Sequence, residues 1–187
     1  MSRVVKTSAV LFITAVLVVA LLSMVYSLTL YPIDRNNTRQ RDAAMKAVLP
    51  QADVFLEIPE KWSGGIVGVF EGIKSGQTIG YVVALSTEGY SGKISLLVGI
   101  SSTDETIAGV RVLKHTETPG LGALAVKEEF YRKFDSRQLI PLTVVRAAPG
   151  EHEIDALTGA TITSKAIVDA VNEAIEWYVL DNGGGGF

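Results

Sequence analysis

The 187-residue sequence contains no cysteine and only two histidines, His115 and His152. The absence of cysteine excludes disulfides, cysteine-ligated zinc, iron–sulfur clusters and a cysteine nucleophile. With so few histidines we predict no metal site. Lysine and arginine number 17 against 20 aspartate and glutamate residues, which gives a formal net charge of −3. The sequence lacks the basic excess of a nucleic-acid-binding protein, so we expect no nucleic-acid partner.

Common active-site motifs are also missing from the sequence. It has no GxGxxG or GxxxxGK[ST] nucleotide loop, no GxSxG nucleophile elbow and no HExxH zinc motif. The carboxylates are scattered, and their spacing indicates no paired-carboxylate catalysis. We therefore predict no catalytic side chain.

The hydrophobic residues are concentrated near the N-terminus, where residues 7–33 contain no charge. This run is longer than the about 20 apolar residues that cross a bilayer. Tyr26 and Tyr31 lie near its far end, where interfacial aromatic residues are common. A signal peptide cleaved near residues 25–27 is the alternative, although such peptides have apolar runs of roughly 7–15 residues. We predict a retained membrane anchor over residues 1–33.

Basic residues flank the anchor on both sides, so the positive-inside rule does not give its orientation. Arg3 and Lys6 precede the apolar run, and Arg35, Arg39 and Arg41 follow it. Because Arg3 and Lys6 are the only charges in the first 33 residues, the rest of the chain has a net charge of −5. This composition is that of a mildly acidic domain tethered to a membrane.

The region after the anchor has the pattern of strands with helices at the ends. Residues 37–49 are rich in helix formers, with Thr38 as a possible N-cap and Pro50 as a stop. We interpret residues 34–62 as a juxtamembrane helical connector. β-Branched runs separated by glycine and serine then predict a meander of antiparallel strands, over residues 66–71, 78–85, 93–100 and 107–113.

Two further helices and one more strand are predicted towards the C-terminus. Residues 123–134 have apolar side chains at helical spacing, and residues 142–145 form a short β-like run. Residues 164–180 have one apolar face, as in a helix packed on a core. The predicted fold class is α+β, an antiparallel sheet with flanking helices preceded by one N-terminal transmembrane helix. The domain covers residues 63–180, and residues 181–187 form a flexible glycine-rich tail.

Four hydroxyl residues crowd the start of the last predicted helix, in the segment DALTGATITS at residues 155–164. Gly159 and Ala160 are small enough for a ligand to approach the backbone closely. Hydroxyls and free N–H groups at a helix N-terminus suit a phosphate. Ordinary N-capping by threonine or serine explains the same residues, and the pattern leaves both interpretations open.

A second segment, HTETPGLG at residues 115–122, follows a predicted strand. Its Pro-Gly pair and the following glycine indicate a tight, shaped loop, which is either a simple turn or part of a site. His115 alone is more typical of a surface or hydrogen-bonded residue than of a ligand.

Together, the two segments resemble the two signatures of covalent FMN-binding domains. The anchor and the total length resemble the G-subunit family of the Rnf complex, an ion-translocating ferredoxin:NAD oxidoreductase. The related C subunit of the sodium-translocating NADH:quinone reductase has a similar plan, is usually longer, and is the alternative. The residues 89–92 resemble a further element of the family, to which we assign no role.

The resemblance implies an FMN joined by a phosphoester to a threonine of the element at residues 158–161. The flavin-bearing residue is then Thr161, with Thr163 as the second choice. Thr158 helps to position the phosphate, beside Gly159 and Ala160. Asp155 belongs to the string recognised by a separate flavin transferase.

The resemblance also places the loop at residues 115–122 against the isoalloxazine ring. The backbones of Gly120 and Gly122 approach the ring edge, and Leu121 covers an apolar face. Glu117 and Thr118 are candidates for polar contacts with the ring.

The implied function is electron transfer within a membrane-bound ion-translocating oxidoreductase, with no independent catalysis by this chain. The implied partners are the other subunits and the transferase. The implied location is the bacterial cytoplasmic membrane, with the flavin domain on the outer, periplasmic face. There are two alternative functions. One is noncovalent binding of an anion or flavin, and the other is hydrolysis with His152 as the only local base.

Overall fold

The computed structural model describes residues 2–181 and divides the chain into two compact units, Met1–Arg41 and Asp42–Phe187. The first helix, α1, covers Ser2–Val48. Within it, Val5–Tyr26 is apolar and long enough to cross a membrane, and its side chains are exposed. The predicted tail at 182–187 and the side chains of Tyr31, Arg35 and Arg39 lie outside the described part of the chain.

Helix α1 continues without interruption through the region predicted as a separate helix. Thr38 therefore lies inside α1 and is not an N-cap, which corrects that prediction. Extending an existing helix costs less than nucleating a new one, so helix-forming residues after the apolar run simply prolong it. The second compact unit begins at Asp42, whereas the predicted start of the domain at residue 63 stays a prediction.

Five antiparallel strands form the main sheet, in the order of the chain. The four predicted strands are present, and a short additional strand pairs with the first of them. Their bounds are β1 Val54–Glu57, β2 Ile66–Lys74, β3 Gln77–Glu88, β4 Lys93–Ser101 and β5 Thr106–His115. This sheet, with its helices and the apolar N-terminal helix, confirms the predicted α+β class.

Buried side chains cover both faces of the sheet. Successive side chains along a strand point to opposite faces. Neighbouring residues of β3, Val82 and Val83, belong to different clusters of buried side chains. The smaller cluster contains the end of α1, through Met45 and Val48. The larger cluster joins the sheet to the last helix, α3 (Thr161–Asp181).

Short elements connect β5 to α3. The single helix predicted over residues 123–134 is wrong, because two short helices occupy that region. A 3-10 helix, Gly122–Val126, is followed by α2, Glu128–Tyr131, and the extended backbone of Lys127 separates them. Two short parallel strands, β6 (Thr143–Val145) and β7 (Glu153–Asp155), then lead to the start of α3. Helix α3 begins three residues before its predicted start.

Candidate functional site

The start of α3 carries the hydroxyl-rich segment noted in the sequence. The residue before the helix is Ala160, which has no side-chain oxygen for an N-cap. The hydroxyl of Ser164 instead accepts a hydrogen bond from Leu157 N at 2.9 Å and donates one to Ala160 O at 3.0 Å. The first turn holds no acidic side chain. Since the first N–H groups of a helix have no intrahelical acceptor, this end of α3 presents donors to an anion.

Gly159 shapes the loop that enters α3. Its φ of +75° lies in the left-handed region, which glycine adopts without the steric cost that other residues incur. A Cβ atom at this position would also lie 3.0 Å from Leu121 Cδ2. The loop at residues 115–122 and the entry to α3 are therefore in direct proximity.

The two threonines considered for flavin attachment have opposite environments. Thr161 is exposed, whereas Thr163 is 1% exposed. Residues two apart in an α-helix point to nearly opposite sides, because each residue advances the helix by about 100°. The Thr163 hydroxyl donates a hydrogen bond to Glu117 Oε2 at 3.0 Å. Of these two threonines, Thr161 has the accessible hydroxyl.

Glu117 is a buried carboxylate, 6% exposed, that joins three separate segments. Its Oε1 accepts hydrogen bonds from Tyr90 N at 2.7 Å and Ser91 N at 3.2 Å. Its Oε2 accepts the hydrogen bond from Thr163. The loop at 89–92, the loop at 115–122 and the first turn of α3 are thus held together by one side chain.

Two glycines allow these segments to close on Glu117. A Cβ atom on Gly89 would lie 2.1 Å from Glu117 Oε1, and one on Gly122 would lie 2.4 Å from Oε2. Such distances are far below van der Waals contact, so a side chain at either position would force the Glu117 carboxylate to move. Gly122 was predicted from the sequence for a different reason, its proximity to a ring edge, and Gly89 was assigned no role.

A cavity of about 400 Å³, here called the Glu117 cavity, lies between these segments. It brings together eight of the ten predicted site residues, and Thr158 and Gly120 are not in its wall. Two further residues complete the wall and were not predicted. The wall consists of Tyr90, Glu117, Thr118, Leu121, Gly122, Gly159, Ala160, Thr161, Ile162 and Thr163.

Tyr90 and Ile162 are exposed side chains in the wall of this cavity, and apolar and aromatic lining is typical of ligand-binding pockets. The sequence signal for Tyr90 was the glycine-flanked turn at residues 89–92. Ile162 had no signal of its own, because an apolar residue in the first turn of an amphipathic helix is typical of a core position.

A second cavity, here called the Arg146 cavity, has a volume of about 310 Å³ and shares Gly159 and Thr161 with the first. Its wall consists of Arg146, Ala156, Leu157, Thr158, Gly159 and Thr161. Arg146 follows β6 directly and is exposed. Among the side chains that the structure describes, no carboxylate forms an ion pair with it. A guanidinium without an ion pair to any described side chain therefore lines the same cavity as Thr158 and Thr161.

The remaining predicted residues lie beside the cavities. Asp155 Oδ2 forms an ion pair with Lys133 Nζ at 2.7 Å, which anchors the end of β7. His115 Nδ1 accepts a hydrogen bond from Glu117 N at 3.2 Å, as expected for a hydrogen-bonded residue. His152 is exposed and lines neither cavity. In the described part of the chain no group of three or more histidine, aspartate or glutamate side chains could hold a metal ion.

Comparison with known proteins identifies relatives over nearly the whole length. Residues 89–176 match the FMN-binding domain family. The G subunit of an ion-translocating oxidoreductase complex from Methanosarcina acetivorans is 34% identical, with 97% of both chains covered. The G subunit of a proton-translocating ferredoxin:NAD(+) oxidoreductase complex from Clostridium ljungdahlii is also 34% identical, over 92% of this chain and 88% of the relative.

A solved structure has the same fold at lower sequence identity. The C subunit of a Na(+)-translocating NADH-quinone reductase from Parabacteroides distasonis is 22% identical and matches with a TM-score of 0.60. The match covers 81% of this chain and 96% of that chain. The full-length similarity to the two G subunits decides the family. The chain belongs to the family of G subunits of Rnf-type ion-translocating oxidoreductase complexes, and it contains an FMN-binding domain.

Proposed function

We propose that this protein carries FMN in a phosphoester bond to Thr161 and transfers electrons between other subunits of a membrane complex. The observation that carries the proposal is the position of the Thr161 hydroxyl, which is exposed at the start of α3 and shared by both cavities. FMN, when bound, supplies the electron-transfer chemistry, and the protein supplies attachment, orientation and electrostatic tuning.

The charges in the two cavities suit the two ends of FMN. The Arg146 guanidinium and the donors of the α3 terminus favour the negatively charged phosphate. In the Glu117 cavity, Leu121, Ile162 and Tyr90 offer apolar surface to the isoalloxazine ring. Because the only charged side chain of that cavity is a carboxylate, it disfavours the phosphate there. We therefore place the phosphate at the Arg146 cavity and the ring at the Glu117 cavity.

Burial argues against attachment at Thr163. A transferase has to bring an activated flavin nucleotide to the acceptor hydroxyl, and the Thr163 hydroxyl is buried and bonded to Glu117. In the proposed step, Thr161 Oγ1 forms a bond to the flavin phosphorus while the phosphorus–oxygen bond to the donor's leaving group breaks. The hydroxyl proton passes to a base of the transferase, so that Thr161 remains as a neutral ester oxygen.

The proposed partners are the other subunits of the complex and the separate flavin transferase. We place the chain in the cytoplasmic membrane through the apolar part of α1, with the flavin domain on the outer face. The exposed Val5–Tyr26 segment supports the membrane location, and the orientation is the one that the family resemblance implies.

The test is fluorescence of the full-length protein on a denaturing gel after co-expression with a flavin transferase. We expect a flavin band in the wild type and in Thr163→Val, and none in Thr161→Ala. Thr161→Ser retains a hydroxyl and should recover a band. A band that survives in Thr161→Ala and disappears in Thr163→Val would move the site to Thr163. A wild-type protein without covalent flavin would contradict the attachment and favour noncovalent binding.

A further inference from the structure

We propose that the buried carboxylate of Glu117 lowers the reduction potential of the flavin bound in the Glu117 cavity. The proposal rests on the proposed function, since it requires the isoalloxazine ring to occupy that cavity. It replaces the expectation that Glu117 makes a direct polar contact with the ring. Glu117 acts through its charge and through the segments it holds, so it is a positioning and tuning residue.

The contacts of Glu117 are those of an ionised carboxylate. Two backbone N–H groups, of Tyr90 and Ser91, and one hydroxyl, of Thr163, point at its two oxygens. An ionised carboxylate is an acceptor only, and both oxygens of Glu117 accept hydrogen bonds. With both oxygens engaged by the protein, the side chain has no need of a hydrogen bond from a ligand.

Among the described side chains, no lysine, arginine or histidine forms an ion pair with Glu117. Among the side chains that the structure describes, the ion pairs of Arg132, Lys133 and Lys165 do not include Glu117. Glu117 is also the only charged residue in the wall of its cavity. The hydrogen bonds hold the negative charge in place without neutralising it. The wall of the cavity therefore contributes the negative potential of one fixed charge.

This potential acts on electron transfer through simple electrostatics. Reduction adds negative charge to a bound flavin, and a nearby carboxylate repels the added charge. The repulsion is strong where water is excluded, because the effective dielectric constant inside a protein is well below that of water. A buried carboxylate beside the ring thus favours the oxidised flavin and makes the bound cofactor a better electron donor.

Three substitutions separate charge from shape in the full-length, transferase-modified protein. Glu117→Gln keeps the side-chain volume and one carbonyl acceptor but removes the charge. Glu117→Asp keeps the charge and shortens the side chain. Glu129→Gln removes an equal charge from an exposed position outside both cavities and is the matched control. The readout is the midpoint potential of the covalent flavin, measured by spectroelectrochemical titration in detergent.

We expect a more positive midpoint potential in Glu117→Gln, and potentials close to the wild type in Glu117→Asp and Glu129→Gln. An unchanged potential in flavin-loaded Glu117→Gln would overturn the proposal. A Glu117→Gln protein that fails to fold or to acquire flavin would also overturn it, because the charge would then serve the structure or the attachment. Failure of the proposed function is distinguishable, since the wild type itself would then carry no covalent flavin.

Discussion

The Glu117 cavity and the Arg146 cavity share one wall and differ in the sign of the charge they contain. Gly159 and Thr161 belong to both. In one cavity the charge is a buried carboxylate held by three donors, and in the other it is an exposed guanidinium without an ion pair in the described residues. A ligand attached at Thr161 therefore meets opposite charges on its two sides.

This difference in charge determines the orientation of a ligand bound at the site. A phosphorylated flavin is negative at one end and largely apolar at the other, so opposite charges on the two sides of Thr161 fix its orientation. The two charges also differ in how they are held. Glu117 is built into the fold by contacts between distant segments, whereas Arg146 stands at the end of a short strand. Substitutions on the two sides should accordingly affect different properties, stability on one and attachment on the other.

The largest expected effect is on stability, from Glu117→Ala. This change removes the acceptor of three hydrogen bonds, and it leaves the buried Thr163 hydroxyl without that partner. We expect it to lower the free energy of unfolding by about 3 kcal/mol. The measurement is urea unfolding of the full-length protein without flavin, followed by the fluorescence of Trp62 and Trp177. Glu129→Ala, at an exposed position, should change it by less than about 0.5 kcal/mol. If Glu117→Ala and Glu129→Ala had equal effects, Glu117 would not contribute to stability through its buried contacts.

Gly122→Ala tests the close packing around Glu117 without removing the carboxylate. The new methyl group would lie 2.4 Å from Glu117 Oε2 and 2.7 Å from Thr163 Oγ1. We expect a loss of about 1–3 kcal/mol in the free energy of unfolding, as for other overpacked interiors. Gly68→Ala is the control, because its methyl group would have ordinary contacts, at 3.6 Å from Phe70 Cε2. A Gly122→Ala protein as stable as Gly68→Ala would show that the packing around Glu117 yields easily.

On the other side of Thr161, Arg146→Glu replaces attraction for the phosphate with repulsion. We expect the initial rate of flavin attachment to fall roughly tenfold, about 1.4 kcal/mol, with Arg146→Lys in between. The assay is gel fluorescence against time with purified transferase and the full-length protein. Lys165→Glu makes the same change of charge one turn into α3, outside both cavities, and should leave the rate near the wild type. If Arg146→Glu and Lys165→Glu slowed attachment equally, the effect would come from net charge and not from the position of Arg146.

The smallest effect is expected from Asp155→Asn, in the ion pair that anchors β7 ahead of the attachment loop. The pair is partly exposed, so its loss should cost less than about 1 kcal/mol in the free energy of unfolding. If attachment nevertheless slows strongly, Asp155 serves recognition by the transferase, as the family resemblance implies. Asp169→Asn, which removes the partner of exposed Lys165, is the control for a lost surface ion pair.

Most strands and helices could be predicted from the sequence, because the patterns that indicate them are local. β-Branched runs separated by glycine and serine predicted the four longer strands, and the amphipathic pattern predicted α3. The helix predicted over residues 123–134 failed, because helical spacing does not reveal the extended backbone at Lys127. The short strand β1 had too few residues for a pattern.

The contacts of Glu117 had no local signal. Its partners Tyr90 and Thr163 are 27 and 46 residues away in the chain, and only the folded sheet and α3 bring them together. The distinction between Thr161 and Thr163 has the same origin. Both are hydroxyl residues at a helix start, and burial against Glu117 is what separates them. Arg146 was not predicted either, because a single arginine after a short strand has no pattern.

The most direct test of the account is the location of the flavin in the peptide that trypsin releases between Arg146 and Lys165. Residues 147–165 contain all of the candidate acceptors, Thr158, Thr161, Thr163 and Ser164. The full-length protein, co-expressed with a flavin transferase, should yield this peptide with the mass of FMN minus one water. Fragment ions should place the added mass between Ala160 and Ile162, on Thr161. An added mass on Thr158, Thr163 or Ser164, or a peptide without any added mass, would contradict the account.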